Sequence, residues 1–216
     1  MVVADDFVLN PQDLIDHAVS QSRFGPDPNS AYPGVRMPLP KSYVFSVLDA
    51  IHPLLFKVYD VPANLGLQPL NAVFSLVTQA PEALAVNQRM PHFDSPSPFH
   101  LALLHYLAPG PFGGTGLFRH RPTGFERIGV DRVDIYQQSR DAYLAHHGEP
   151  GTGYPTADSG QFKGQYEMYD QFAYRPNRLV IYPGSLLHTG LIDPSRDANA
   201  DPRTGRLTAN LFVDFT

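Results

Sequence analysis

The sequence has no cysteine and no long hydrophobic run. Without cysteine there are no disulfide bonds, no thiolate metal ligands and no cysteine nucleophile, and such a chain is compatible with a reducing cytosol. No apolar stretch approaches the roughly 18 residues that a membrane-spanning helix requires. The acidic start of the chain differs from a secretory signal, which needs a basic start and an apolar core. We therefore expect a cytoplasmic protein with no membrane partner.

Charge is also scarce and mildly negative. Only 17% of the residues are charged, the formal net charge at pH 7 is -5, and the pI is near 5.9. No basic run occurs, and basic residues do not alternate with aromatic ones, so nucleic acid is not expected as a partner. The 216 residues, of which 43% are hydrophobic, predict one globular domain, 1–216, with a substantial core.

Proline, in contrast, is abundant, with 22 residues. Because proline is excluded from helix interiors and central strands, this number indicates short elements joined by stiff turns, which favours a β-rich architecture. Residues 1–40 are expected to be irregular apart from a short helix at 11–20. A second helix, predicted over 42–59, would pack on the outside of a sheet. Together these segments give an N-terminal helical support over 1–68.

Strand-like segments rich in β-branched and aromatic residues follow. They are predicted at 70–79, 99–108, 117–120, 178–182, 186–192 and 207–215. Residues 121–176 have a different character, with a helical pattern, a Gly/Pro-rich loop and many tyrosines. We interpret 121–176 as an insertion between strands, and such loops on a rigid β scaffold often carry binding residues.

Four polar residues carry the chemical signal. His92 and Asp94 are separated by one residue, so in an extended segment their side chains leave on the same face. His188, from a segment after a Pro-Gly turn, would complete two histidines and one carboxylate. This is the facial triad of non-heme iron(II) oxygenases, which leaves positions open for a cosubstrate and dioxygen. Arg206 would then supply a fixed cation for the far carboxylate of a 2-oxoacid.

Each of these residues alone also has an ordinary interpretation. A His-x-Asp triplet occurs by chance, a strand histidine is most often a core residue, and an arginine near a chain end is usually on the surface. Two histidines and one carboxylate also bind zinc. A zinc hydrolase or cupin-like enzyme on the same scaffold is therefore one alternative, and a non-catalytic jelly-roll binding domain is another.

From His92 onwards the chain resembles the prolyl-hydroxylase-like branch of the Fe(II)/2-oxoglutarate-dependent dioxygenases, and a bacterial subgroup within that superfamily. The resembling segments are, in order, His92-Phe-Asp94, Leu101–Leu107, Phe112-Gly-Gly114, Asn177–Gly184, His188 and Gly205–Phe212. The resemblance implies a mainly β fold with flanking helices, in which the core is a double-stranded β-helix (jelly roll).

The resemblance also implies an activity. His92, Asp94 and His188 would bind Fe(II), and Arg206 would form a salt bridge to 2-oxoglutarate, the cosubstrate. With O2, such an enzyme hydroxylates an amino acid, a peptide or a small metabolite and releases succinate and CO2. An aspartate at position 94 argues against a halogenase, in which that ligand position must be free for the halide.

Further residues receive roles by the same resemblance. Thr208, on the same strand face as Arg206, would share the cosubstrate carboxylate, and Tyr106 would donate a second hydrogen bond to it. Arg119 and His120 are candidate substrate contacts.

One departure from the family pattern concerns the cation. Arg206 lies farther beyond His188 than the basic residue of the relatives does, so 193–204 would be an inserted loop. Arg196 and Arg203, within that loop, are the rival anchors.

Overall fold

Two antiparallel sheets of unequal size form the frame of the computed structural model, which describes residues 1–21 and 23–216. In chain order the elements are β1 (Val2–Ala4), α1 (Gln12–Gln21), β2 (Gly25–Pro26), β3 (Gly34–Pro38), α2 (Lys41–Tyr59), β4 (Leu67–Val77), β5 (Leu101–Tyr106), β6 (Thr115–His120), α3 (Val133–His147), β7 (Tyr166–Phe172), β8 (Arg178–Pro183), β9 (His188–Gly190), α4 (Pro194–Asp197) and β10 (Thr208–Phe215). The large sheet has the order β1-β8-β5-β10-β4-β3-β2, and the small sheet has the order β7-β6-β9.

Strand β10 shows how the large sheet is built. Its side chains alternate, so that Ala209, Leu211 and Val213 join the main hydrophobic core while Thr208 and Asn210 line a cavity on the opposite face. Helices α1 and α2 contribute apolar residues to the same core cluster, which covers the outer face of the sheet. The inner face packs against the small sheet through a second cluster of buried residues. The predicted β core with flanking helices is therefore observed.

Two predictions about segments need correction. Residues 1–40 are not irregular apart from one helix, because β1, β2 and β3 lie there and β3 pairs with β4. Prolines fall at the end of β2 and β3, and β2 is the edge of the sheet, a place where the missing N–H is tolerated. The segment 121–176 is not only an insertion, since its last part forms β7, which pairs with β6 along the small sheet.

No helix among residues 1–21 and 23–216 combines the length and apolar character that crossing a bilayer requires.

His105, fully buried on β5, connects the N-terminal segment to the large sheet. Its Nε2–H donates to Asn177 Oδ1 at 3.0 Å, because a carboxamide oxygen can only accept, and its Nδ1 accepts from the Tyr43 hydroxyl at 2.8 Å. The Asn177 side chain also bonds both the N–H and the C=O of Val8. Asn177 has a left-handed φ of 60°, which asparagine tolerates better than most residues do. The chain start is thus fixed through buried polar contacts.

This burial predicts a pH-dependent stability. Desolvation lowers the pKa of His105 from 6.5 to about 4. Between these values the unfolded chain binds more protons than the native protein, so the free energy of unfolding falls as the pH falls through this window. From pH 7 to pH 5 we expect His105 to account for a loss of roughly 2 kcal/mol.

Urea unfolding of the wild type and His105→Gln at pH 7 and pH 5 tests this prediction. The variant should lose about 2 kcal/mol less than the wild type over this interval. His146→Gln, a change at an exposed histidine of α3, is the control. Equal pH dependence in the wild type and His105→Gln would contradict the prediction.

Candidate metal centre

His92, Asp94 and His188 meet at one cavity between the two sheets. One ligand atom from each residue lies within 4.8 Å of the other two. The Nε2 atom of His92 is 3.8 Å from Asp94 Oδ1, and the Nε2 atom of His188 is 3.7 Å from Asp94 Oδ2. These distances are too long for hydrogen bonds. Two donors that are each about 2.1 Å from one ion are at most about 4.2 Å apart, so small side-chain rotations suffice to bring all three to one ion.

Backbone hydrogen bonds bring these distant parts of the sequence together. His92 and His188 form an antiparallel bridge, in which each N–H donates to the carbonyl of the other residue at 2.9 and 2.8 Å. The Asp94 N–H donates to the Gly184 carbonyl at 2.7 Å. Phe93 contacts Tyr136 with its ring, edge to face, at 5.9 Å between centroids. The expected convergence of the His-x-Asp segment with His188 is therefore present.

Both histidines are suited to donate a lone pair. The Nδ1–H of His188 donates to the Leu186 carbonyl at 2.9 Å, which leaves Nε2 unprotonated toward Asp94. The side chain of His92 lines the cavity and is 53% exposed. Desolvation there lowers the pKa of His92 to about 4, and the neighbouring His188 acts in the same direction while Asp94 opposes it. Neutral imidazole is the metal-binding form.

The cavity has a volume of about 640 Å³, within the range of small-molecule sites. Its wall includes side chains of β4, β5, β8, β9 and β10. Within the described part of the chain, its charged lining consists of one carboxylate, Asp94, and two guanidinium groups, Arg36 and Arg206. The cavity is therefore suited to anionic ligands.

Arg206 is 4% exposed, yet it has no acidic partner among residues 1–21 and 23–216. Its Nε donates to the Gly113 carbonyl at 2.8 Å, and Nη2 approaches the Gly114 carbonyl at 3.5 Å. The guanidinium carbon lies 5.6 Å from the ring centroids of both Tyr106 and Tyr174. A buried cation without a counterion is unfavourable, so an anionic ligand in the cavity would stabilise it.

The Gly113–Gly114 loop sets the position of Arg206. The Gly113 N–H donates to Asp197 Oδ2 at 3.0 Å, and this buried carboxylate is itself paired with Arg196. A Cβ atom at Gly113 would lie 1.6 Å from the carbonyl oxygen of Leu191. Only glycine therefore fits the close approach that directs the Gly113 carbonyl at Arg206.

Two other predicted anion-binding residues have different positions. Thr208 lines the cavity with Arg206, as expected from the strand alternation. Tyr106 does not line it. Its hydroxyl shares a 2.8 Å hydrogen bond with Thr115, and its ring lies behind Arg206. Thr115 itself lines the cavity, and the hydrogen bond from Tyr106 to a cosubstrate stays a prediction.

Tyr182 was not recognised as a functional residue from the sequence. It lines the cavity, and its ring meets that of His188 edge to face at 4.9 Å. Burial raises its pKa well above the usual value, with the Asp94 charge adding to this effect, so the phenol stays protonated and can donate. The signal available in the sequence was the alternation along β8, which places Tyr182 on the same face as Val180.

The predicted substrate contacts are not brought to the cavity. His120 is buried, its Nδ1 is 2.8 Å from the Thr123 hydroxyl, and its ring packs against Tyr136 and Tyr166. Arg119 forms ion pairs with Glu126 and Glu167. Both side chains have partners outside the cavity lining, and the assignment of Arg119 and His120 as substrate contacts stays a prediction.

The rival cation anchors also lie outside the cavity lining. Arg196 pairs with Asp197 at 3.0 Å and Arg203 lies 3.6 Å from Asp201, whereas Arg206 faces the cavity. The loop predicted over 193–204 contains the short helix α4 and a turn.

The three residues His92, Asp94 and His188, called the metal trio below, predict that the protein binds a divalent metal ion and that loss of any one ligand strongly weakens this binding. Asp94→Ala and His188→Ala should each weaken Fe(II) binding at least about 100-fold, since loss even of a residue that only supports a ligand costs 10- to 100-fold. Anaerobic isothermal titration calorimetry at pH 7 measures this affinity. His146→Ala, outside the cavity, is the matched control, and equal affinities in all variants would contradict the assignment.

Comparisons with known proteins give one family and a set of remote structural neighbours. One structure, HygX from Streptomyces hygroscopicus with nickel, 2-oxoglutarate and hygromycin B bound, aligns with a TM-score of 0.45 and 13% identity over 99% of this chain and 81% of that chain. HygX with nickel and 2-oxoglutarate aligns with a TM-score of 0.43 and 14% identity, over 99% and 82%. No curated protein matches the chain. Residues 1–213 match the family described as "Family of unknown function (DUF6445)", and the chain belongs to this family.

Proposed function

We propose that this protein is a non-heme Fe(II)- and 2-oxoglutarate-dependent oxygenase, built on a double-stranded β-helix, that hydroxylates a small organic substrate. The observation that carries the proposal is the pairing of two features in one cavity. The His92, Asp94 and His188 side chains form a facial donor set, and the buried guanidinium of Arg206 faces the same space without an acidic partner in the described chain. A zinc hydrolase would not need this second feature.

The donor set fits ferrous iron. Two neutral imidazoles and one carboxylate on one side of an ion leave the other positions open. When bound there, Fe(II) supplies the oxidative chemistry in which 2-oxoglutarate and O2 give succinate and CO2 while a substrate C–H becomes C–OH. The backbone bridge between His92 and His188 holds the donors before the ion arrives.

The cation and hydroxyl groups of the cavity orient the cosubstrate. The guanidinium of Arg206 offers paired donors to the two oxygens of the far carboxylate, a geometry that lysine does not provide. Thr208, on the same face, adds a hydroxyl. Tyr182, which lies on β8 of the large sheet beside His188, can donate its phenolic proton to an oxygen of the keto-acid.

The apolar residues of the cavity wall serve the same purpose. Leu104, Phe212 and Ile192 line it, which limits the water around the polar groups. Hydrogen bonds and charges act more strongly in such an environment than in water. The chain thereby contributes fixed positions and a dry site, while the metal contributes the reactivity.

Anaerobic titration of Fe(II) and 2-oxoglutarate tests the proposal. The wild type should develop the weak visible charge-transfer band of a bidentate keto-acid complex, and His188→Ala should lose it. Arg206→Gln should weaken 2-oxoglutarate binding about tenfold to hundredfold, as expected for the loss of charge-assisted hydrogen bonds. Arg206→Lys should have an intermediate effect, because the charge remains and the paired donors are lost.

Arg203→Gln is the matched control, since this arginine lies outside the cavity lining, 3.6 Å from Asp201. It should bind 2-oxoglutarate as the wild type does. Iron binding without a charge-transfer band would remove 2-oxoglutarate from the proposal and favour another metal enzyme. No iron binding at all would favour a binding domain without catalysis.

A further inference from the structure

A row of residues crosses the inner face of the large sheet from β5 to β3. The strand register pairs Tyr106 with Thr208, Thr208 with Ser75, and Ser75 with Arg36. Residues directly opposite one another in antiparallel strands share a face, so Arg36 is on the same face as Thr208. Two strand spacings separate them by about 10 Å. The sheet therefore holds a second cation, Arg36, in the cavity.

Arg36 stands at the junction of two spaces. It lines the cavity of the metal trio and also an adjoining cavity of about 450 Å³. Asn71, on the same face of β4 as Ser75, lines both spaces as well. A group held by Arg36 would therefore lie between the adjoining space and the metal trio, in the region left for a primary substrate.

The donors of Arg36 are largely uncommitted. Of its five N–H groups, one on Nη1 donates to Asp27 Oδ2 at 3.2 Å. Its buried Nε has no acceptor in the described chain, and the buried hydroxyl of Tyr32 is likewise without a partner there. The guanidinium carbon lies 4.6 Å from the centroid of the Tyr32 ring, which orients the planar group. Unpaired buried polar groups of this kind are unfavourable, and an anion bound beside the guanidinium would offset this cost.

We propose that Arg36, with Tyr32 and Asn71, binds the carboxylate of the primary substrate, so that the substrates are small carboxylic acids. This inference rests on the proposed function, in which Arg206 is used by the cosubstrate. A carboxylate matches the two-pronged guanidinium. Asp27 neutralises part of the Arg36 charge, which favours a monoanion over a dianionic phosphate ester.

The rest of the lining agrees with this substrate class. Carboxamides of Asn29, Asn87 and Asn210 also line the cavity, and they can bind uncharged polar groups of the substrate. Within the described chain, the cavity lining contains one carboxylate, that of Asp94, which belongs to the metal trio. A cationic substrate would therefore find no free acidic partner on this wall.

Equilibrium binding tests the subsite without requiring turnover. Isothermal titration under anaerobic conditions, with Fe(II) and saturating 2-oxoglutarate, compares three sets of probes: L-amino acids and short monocarboxylic acids, the carboxamide of each, and phosphate monoesters of similar size. The wild type should bind at least one acid about tenfold to hundredfold more tightly than its amide. Arg36→Gln should abolish this preference, Arg36→Lys should retain part of it, and Arg203→Gln should retain all of it.

Two measurements separate the possible failures. Far-UV circular dichroism and thermal unfolding show whether each variant folds. If Arg36→Gln does not fold, the preference of Arg36→Lys for acids over amides decides the test. The inference is overturned if no acid binds the wild type, if acids and amides bind equally, if phosphate esters bind more tightly than acids, or if Arg36→Gln keeps the preference. Absence of the charge-transfer band with Fe(II) and 2-oxoglutarate contradicts the proposed function instead, and a preference for acids that is lost in Arg36→Gln would still support the subsite.

Discussion

The reciprocal pair of backbone hydrogen bonds between His92 and His188 is the constraint on which the rest of the site depends. It connects a segment outside the strands of both sheets to β9, and so joins residues that are 96 positions apart in the sequence. Side chains alone would not fix this arrangement, because isolated imidazoles rotate freely. Since the bridge is made by the main chain, the side chains of both residues remain available for ligands.

The site depends, second, on where the fold places positive charge. Arg206 and Arg36 are held on the inner side of the same sheet but at separate positions, Arg206 by the carbonyls of a glycine loop and Arg36 by its pairing in β3. Each has donors that neighbouring residues do not saturate in the described chain. The polar side of the cavity is therefore organised by two cations with different supports.

The sequence allowed the trio to be predicted because its spacing has a direct geometric meaning. One intervening residue places His92 and Asp94 on one side of an extended segment, and a Pro-Gly turn precedes the segment of His188. Strand β7 was missed because its sequence is polar and half exposed, so it lacks the usual apolar pattern. The places of Tyr106, His120 and Arg36 depend on register between strands far apart in sequence, which no local pattern contains.

The alternation of side chains along strand β10 determines which properties of the protein a substitution there can alter. Its core-facing and cavity-facing residues alternate strictly from Thr208 to Val213, so neighbouring positions serve different purposes. Substitutions at Thr208, Asn210 or Phe212 alter the shape and polarity offered to a ligand while leaving the volume of the helix-covered core unchanged. Ligand preference and stability thus depend on opposite faces of one strand. Substitutions on the cavity face can therefore change the ligand without any change in the hydrophobic core.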